Sequence, residues 1–207
     1  MTLGELKQAL VRVMMNSQTN LYNDDLRGWA LNEAVRTVCL QYAVPQYIAT
    51  SNVAFSSGVG NLPSDFLRSL ALYDSSSTAP VYYQQVPVTS FIENMAYTFS
   101  IQTVSAVDKL KIYPTAATSL TLMYVSKPTD MSSDSDTTLL PDTFKRAVAM
   151  KAKSFLLEAS GDLDRYAPAL AAAEKAIGEA WQAESLRWSG ARDTRIHSIF
   201  ESQNILH

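Results

Sequence analysis

The chain has 207 residues, of which 47% are hydrophobic and 18% charged, and its formal net charge is −3 at pH 7. This length and composition predict a globular protein of one domain, or of one domain with an insertion. A dedicated nucleic-acid binder would carry a basic excess, whereas a neutral or acidic surface suits a protein that DNA only passes.

Several other classes are also disfavoured. Cys39 is the only cysteine, so an intrachain disulfide and a cysteine-based zinc site are excluded, and we expect a buried, unreactive thiol. No segment approaches the roughly 20 apolar residues of a membrane span, and the N-terminus lacks the features of a signal peptide. We therefore expect a protein made and used in a cytoplasm, with no membrane partner.

Two helices are predicted at the N-terminus. Leu3, Leu6 and Leu10 recur at helical spacing within residues 3–14. The second helix starts at the capping residues 23–25 and stops before Pro45. Trp29 lies off the apolar stripe of that helix and is expected to contact another element or another subunit. The stripe consists of Leu31, Ala34, Val35, Val38 and Tyr42.

The pattern changes to period-two alternation between residues 47 and 127, which predicts strands. We expect strands at 67–73 and 81–85, a helical turn at 88–97, a hairpin of 98–103 with 109–113, and a strand at 120–125. Lys109 and Lys111 should face solvent while Leu110 and Ile112 face inward. The block is predicted to be a small antiparallel sheet or sandwich inserted between two helical parts.

Charge is sparse in this block. Between residues 47 and 107 the charged residues are Asp65, Arg68, Asp74 and Glu93. Interface cores are poor in charge and rich in tyrosine, so neighbouring subunits packing on the sheet would explain the pattern. The pattern favours this interpretation over an ordinary lightly charged surface, which stays open as the alternative.

A helical hairpin is predicted over residues 141–188. Pro141 suits the first helical position, Gly161 can adopt a left-handed cap, and Asp162 can cap the second helix. Pro168 should kink the second helix or mark its start. The apolar faces comprise Phe144, Ala147, Val148, Ala152, Phe155 and Ala159 in the first helix, and Ala169, Ala171, Ala172, Ala173, Ala176 and Ala180 in the second.

No set of residues indicates catalysis or a cofactor. His197 and His207, the two histidines, both lie in the tail, far from any serine–aspartate pair of the fold. The loop 129–140 carries Asp130, Asp134 and Asp136 but lacks the glycine and distal glutamate of a calcium loop, so a solvated acidic loop is expected. Residues 58–60 are too short a match to a phosphate-binding loop. Glu174, Glu179 and Glu184 are expected to form the solvent-exposed face of the last helix.

The tail after residue 188 has scattered apolar residues, which disordered ends normally lack. We expect an extended arm that docks on a partner by its apolar side chains and by two arginines that pair with carboxylates. The predicted arm residues are Arg192, Arg195, Ile196, Ile199, Phe200, Ile205 and Leu206.

The order of these segments resembles the head-to-tail adaptor (head completion, or connector) proteins of tailed bacteriophages. The resemblance spans residues 26–181. It rests on Leu31-Asn32-Glu33-Ala34-Val35 with Tyr42 and Pro45, on Gly60-Asn61-Leu62-Pro63-Ser64-Asp65-Phe66-Leu67, on Leu110-Lys111-Ile112-Tyr113-Pro114, on the strand end from Tyr124 to Pro128, and on Leu140-Pro141.

The resemblance implies a structural virion protein without catalysis or cofactors, located at the virion neck and made in the host bacterial cytoplasm. Its partners would be other copies of itself in a ring, usually dodecameric, the portal protein, and a tail, nozzle or terminator protein. Genomic DNA would pass through the lumen without sequence-specific binding. The helices would surround the channel, the β insertion would face the next ring or the tail, and the arm would reach onto the portal or a neighbouring subunit.

The fold expected is thus α+β: a bundle of the N-terminal helices and the C-terminal hairpin, with an inserted small β-sheet or sandwich and an extended arm. The expected parts are residues 1–45, 46–128, 129–188 and 189–207. Two alternatives remain, a tail-tube or tail-terminator subunit, and a non-viral β-sandwich module that binds glycan or peptide through Tyr82, Tyr83 and Tyr97.

Overall fold

A computed structural model describes residues 1–14, 22–76, 79–90, 96–104 and 106–189. The chain divides into two compact units: Met1–Val38 with Thr129–His207, and Cys39–Pro128. The described residues form four α-helices, α1 (Leu3–Val13), α2 (Asp24–Gln41), α3 (Lys145–Ala159) and α4 (Leu163–Ser189). Single 3-10 turns occupy Pro45–Tyr47, Val88–Ser90 and Asp142–Phe144.

Seven strands make up the second unit. They are β1 (Ile48–Ser56), β2 (Val59–Asn61), β3 (Phe66–Asp74), β4 (Val81–Gln85), β5 (Thr98–Val104), β6 (Val107–Tyr113) and β7 (Ser119–Ser126). They close into a barrel in the order β1-β2-β6-β5-β4-β3-β7, with β7 also paired to β1. All pairs are antiparallel except β4 with β5.

The expected fold class was therefore wrong. The strands are a closed seven-stranded barrel that forms a unit of its own, and the chain is not a helical bundle carrying a small sheet. Alternating side chains point inward in a sandwich and in a barrel alike, so alternation along each strand does not distinguish them. Closure is decided by pairing between segments distant in sequence, above all β1 with β7.

The barrel interior follows the alternation that the sequence predicts. Leu110 and Ile112 are fully buried, while Lys109 and Lys111, which alternate with them, stay partly exposed. Gly60 permits the closure of β1 on β2, because a Cβ there would lie 2.6 Å from Val53 Cγ1. The core contains Val53, Phe55, Leu72, Tyr83, Phe99, Leu110, Ile112, Leu120, Leu122 and Tyr124.

The helical unit begins with a capped helix. Thr2 Oγ1 accepts a hydrogen bond from the Glu5 amide, and the Glu5 carboxylate accepts one from the Thr2 amide, a capping box that satisfies two amides of the helix start. The amides of Leu3 and Gly4 donate to carbonyl oxygens of Asp136 and Asp134. The loop that precedes α3 is thereby fixed to the start of α1.

Helices α3 and α4 form a hairpin, as the residues at the end of the first helix and the start of the second predict. Gly161 has a φ of +72°, a left-handed conformation that ends α3 at low cost only for glycine. The Asp162 side chain accepts a hydrogen bond from the Arg165 amide and caps α4. Helix α4 starts at Leu163, so Pro168 lies inside it and does not mark its start.

Candidate interaction surfaces

The acidic loop before α3 is engaged in structural contacts. Lys7 Nζ lies 2.5 Å from an Asp24 carboxylate oxygen and 2.7 Å from one of Asp134. The hydrogen bonds that the Lys7 ammonium donates to Asp134 and Asp24 raise the pKa of Lys7, and the same ammonium lowers the pKa of Asp24. The Lys7 ammonium thus links α1, α2 and the loop.

The other two aspartates of the loop are likewise occupied. Arg36 Nη2 lies 2.8 Å from an Asp130 oxygen. Asp136 accepts hydrogen bonds from the amides of Ser132 and Ser133, which hold its pKa below the usual range. Across the described ranges, no group of three or more histidine, cysteine, aspartate or glutamate side chains could hold a metal ion. The loop is fixed by these bonds, and the Asp130 and Asp134 side chains stay 62% and 68% exposed, as expected of a solvated acidic loop.

A charged pair joins α3 to α4, and a buried glutamate of α4 bonds to the 3-10 turn before α3. Lys151 is buried, its Nζ lies 2.5 Å from Glu174 Oε1, and it stands 5.4 Å from the centre of the Phe155 ring. Glu184 is only 2% exposed and accepts hydrogen bonds from Thr143 Oγ1 and Arg187. The prediction of a wholly solvent-exposed glutamate face was therefore wrong for Glu184.

A groove with a positively charged rim runs along α1, α3 and α4. Three adjoining clefts of about 480, 560 and 640 Å³ form it, and Met150 lines all three. Its floor includes Val13, Ala172 and Ala176. We call this the basic groove. Its rim cations are Arg12, Lys145, Arg146, Lys153, Arg165 and Lys175, and its carboxylates are Asp142, Asp164 and Glu179.

Helix α2 presents the opposite charge. Asp25, Trp29 and Glu33 follow one another at four-residue steps and therefore share one face of the helix. Arg36 bonds to Glu33 on that face and to Asp130 of the loop. We call the set of Asp25, Trp29, Glu33, Arg36 and Asp130 the acidic stripe. Trp29 is 47% exposed, and its ring centre lies 6.3 Å from that of Phe155. Its predicted contact with another element is thus with α3.

Of the three tyrosines predicted to bind a glycan, two are exposed and one is buried. Tyr82 is 54% exposed and packs against Tyr73, its partner across β3 and β4. Tyr83 points into the barrel and is only 7% exposed, and Tyr97 meets its ring edge-on. Because Tyr82 and Tyr83 lie on opposite faces of β4, the three tyrosines proposed for a glycan do not form one exposed cluster.

A family model for the SU10 adaptor protein matches residues 1–195, which include both units. The chain belongs to the SU10 adaptor protein family. This is a family of phage head-to-tail adaptors, so the resemblance that the sequence segments indicated is confirmed. A comparison with curated proteins finds no match.

Family membership makes the protein a structural phage adaptor that contacts other head or tail proteins at the virion neck. The family is not typically enzymatic. In the described part of the adaptor, no helix is long and apolar enough to cross a membrane.

The arm residues predicted from the sequence, Arg192, Arg195, Ile196, Ile199, Phe200, Ile205 and Leu206, all lie outside the described residues of the adaptor. The two histidines lie there too. The basic groove and the acidic stripe were not predicted from the sequence. A signal for Glu184 was present, because it continues the buried steps Ala173, Ile177 and Ala180 along α4.

Proposed function

We propose that copies of this adaptor form a ring, expected to be dodecameric, which joins the portal to the tail and forms part of the DNA exit channel. The observation that carries the proposal is the family match over residues 1–195, because it includes both the helical unit and the barrel. A ring subunit presents two different patches to its two neighbours, and the contact closes by symmetry.

The charge of the chain is consistent with a channel that DNA traverses. A net charge of −3 gives phosphates no general attraction to the protein, and phosphate contacts dominate non-specific DNA affinity. DNA then passes without sequence-specific binding. The barrel would face the next ring, nozzle or tail protein, and its exposed side chains Tyr82, Val88, Val104 and Val107 offer apolar contact area there.

The C-terminal arm is proposed to bind the portal or a neighbouring copy. Its large apolar residues would act as anchors, since a few such residues carry most of the energy of an interface. Arg192 and Arg195 would pair with carboxylates of the partner.

The test is assembly on portal particles, measured as particle mass and as images of the neck. We expect the full chain to add a closed ring, and deletion of residues 190–207 to abolish or strongly weaken binding. The substitutions Ile196→Ser, Ile199→Ser and Phe200→Ser together should reproduce the deletion, whereas the control Ser198→Ala with Ser202→Ala should bind normally.

Each part of the proposal can fail separately. Normal binding by the deletion variant would refute the arm as an anchor. Tubes or capped tails that form without portal would instead indicate a tail-tube or tail-terminator subunit. A chain that stays monomeric with portal present would refute the ring itself.

A further inference from the structure

The basic groove and the acidic stripe lie on opposite sides of α3. Trp29 of the stripe packs beside Phe155. At about 100° per residue, Met150 and Lys153 are turned by roughly 140–160° from Phe155 around the helix. The helical unit therefore has two separate faces, and a head-to-tail contact requires two separate faces.

The two faces have complementary charge. The lining of the basic groove carries six cations against three carboxylates, and the acidic stripe carries three carboxylates against one guanidinium. Three of the rim cations are paired within the subunit, namely Lys145 with Glu5, Arg165 with Asp162 and Lys175 with Glu179. Within the described ranges, Arg12 and Arg146 have no carboxylate within ion-pair distance, and Asp25 has no cation within that distance. Charges that are not used inside a subunit can be used between subunits, where complementary potentials fix the register of a contact.

The faces also suit each other in shape and chemistry. Trp29 projects as a half-exposed ring, and tryptophan is among the residues most enriched at the energetic centres of interfaces. The groove floor offers alanines that admit close approach, together with Met150, whose flexible thioether adapts to an aromatic ring. This apolar floor favours a protein occupant over DNA, whose backbone would contact only the rim.

We propose that the acidic stripe of one copy docks in the basic groove of the next copy, with Trp29 seated near Met150. The inference rests on the ring of the proposed function and specifies which faces build it. The contact also removes the rim cations from the reach of the DNA phosphates. The apolar arm is a poorer occupant of the groove, because its charged side chains Arg192, Asp193, Arg195 and Glu201 sum to zero and offer no net negative charge to the rim cations.

Charge reversal tests the docking. Arg12→Glu with Arg146→Glu reverses the charge of the groove and Asp25→Arg neutralises the stripe, and none of these residues has an ion pair to lose inside the described subunit. We expect either variant to raise the concentration needed for ring assembly by about tenfold or more. Joining the three substitutions in one chain should restore much of the assembly. Lys127→Glu, an exposed position of the barrel unit, is the control for a charge reversal at a residue that belongs to neither face.

A second measurement locates the contact directly. Rings assembled on portal from equal amounts of ¹⁴N- and ¹⁵N-labelled chains are treated with a carbodiimide, which joins an amine to a carboxylate at contact. We expect mixed-isotope cross-links from Lys153 or Lys175 to Asp25 or Glu33.

Four outcomes would overturn the inference. Rings whose cross-links join other faces would refute the docking and leave the proposed function intact, whereas absence of any ring on portal would refute both. Normal assembly of the groove variant with loss of salt-sensitive DNA binding would assign the groove to DNA. If both charge variants assemble normally and deletion of residues 190–207 abolishes assembly, the ring contact belongs to the arm.

Discussion

The Lys151–Glu174 pair provides an asymmetric test of how α3 is held to α4. The Lys151 side chain is 7% exposed, the Glu174 side chain is 38% exposed, and the charged atoms are 2.5 Å apart. Breaking a buried pair by removing one partner costs about 3–5 kcal/mol, because an uncompensated charge stays buried. Glu174 is partly exposed and a lysine stem can reach toward solvent, so we expect Glu174→Ala to cost about 2 kcal/mol.

The reverse substitution should be much milder. Lys151→Met keeps the apolar stem beside Phe155 and leaves Glu174 partly hydrated, so a cost below about 1 kcal/mol is expected. The double variant should be no less stable than Glu174→Ala alone. Lys175→Met is the matched control: Lys175 and Glu179 form a pair 3.9 Å apart with exposures of 79% and 66%, worth about 0.5 kcal/mol or less.

Urea unfolding followed by circular dichroism at a helix-sensitive wavelength measures these differences. The reasoning is wrong if Lys151→Met destabilises the protein as much as Glu174→Ala does. It is also wrong if the control pair shows the same asymmetry, because burial would then not be its cause.

Three further expectations concern the barrel unit. Burial raises the pKa of the Cys39 thiol to about 12, so Ellman's reagent at pH 8 should label the folded protein far more slowly than the protein in guanidinium; equal rates would contradict this. Burial and the hydrogen bond to Asp65 raise the pKa of Tyr124 to about 12, above the ordinary value near 10. The neutral Tyr124 side chain therefore stabilises the folded state fully below about pH 10, and this contribution is lost as the pH rises toward 12. The free energy of unfolding in urea should fall over that range, and Tyr124→Phe should reduce the fall. Gly60→Ala should cost about 1–3 kcal/mol by thermal unfolding, because its Cβ would lie 2.6 Å from Val53 Cγ1; an unchanged midpoint would contradict the close packing.

Local patterns were sufficient for most of the helices and strands and for many of their buried faces, although not for β2 or for Glu184. The strand predicted at 81–85 is β4, and Leu110 and Ile112 point into the core. Gly161 ends α3 and Asp162 caps α4, as expected. Each of these depends on neighbours within a few residues. The helix expected at 88–97 begins with a 3-10 turn at Val88–Ser90, and residues 91–95 lie outside the described residues.

Contacts between distant segments were not predictable in the same way. The closure of β7 on β1 and the bond from Lys7 to Asp134 join residues that are far apart along the chain. Nothing in the local pattern of Lys7 distinguishes it from an ordinary exposed lysine. The acidic stripe and the basic groove also depend on contacts between distant segments, since the groove exists only after α1, α3 and α4 have packed together.

The separation of charge on the helical unit supports a role that the folded subunit alone does not require. Exposed ion pairs contribute only about 0–1 kcal/mol each, so mixed signs on every face would serve the stability of a monomer at least as well. A surplus of cations around one groove and of carboxylates on one stripe instead leaves repulsion within each face, which pairs such as Arg165–Asp162 and Arg36–Glu33 offset only in part. That repulsion is relieved when unlike faces meet, and in a closed ring every copy has both faces covered. A near-neutral chain whose charges are sorted by face is therefore better explained by head-to-tail association than by folding.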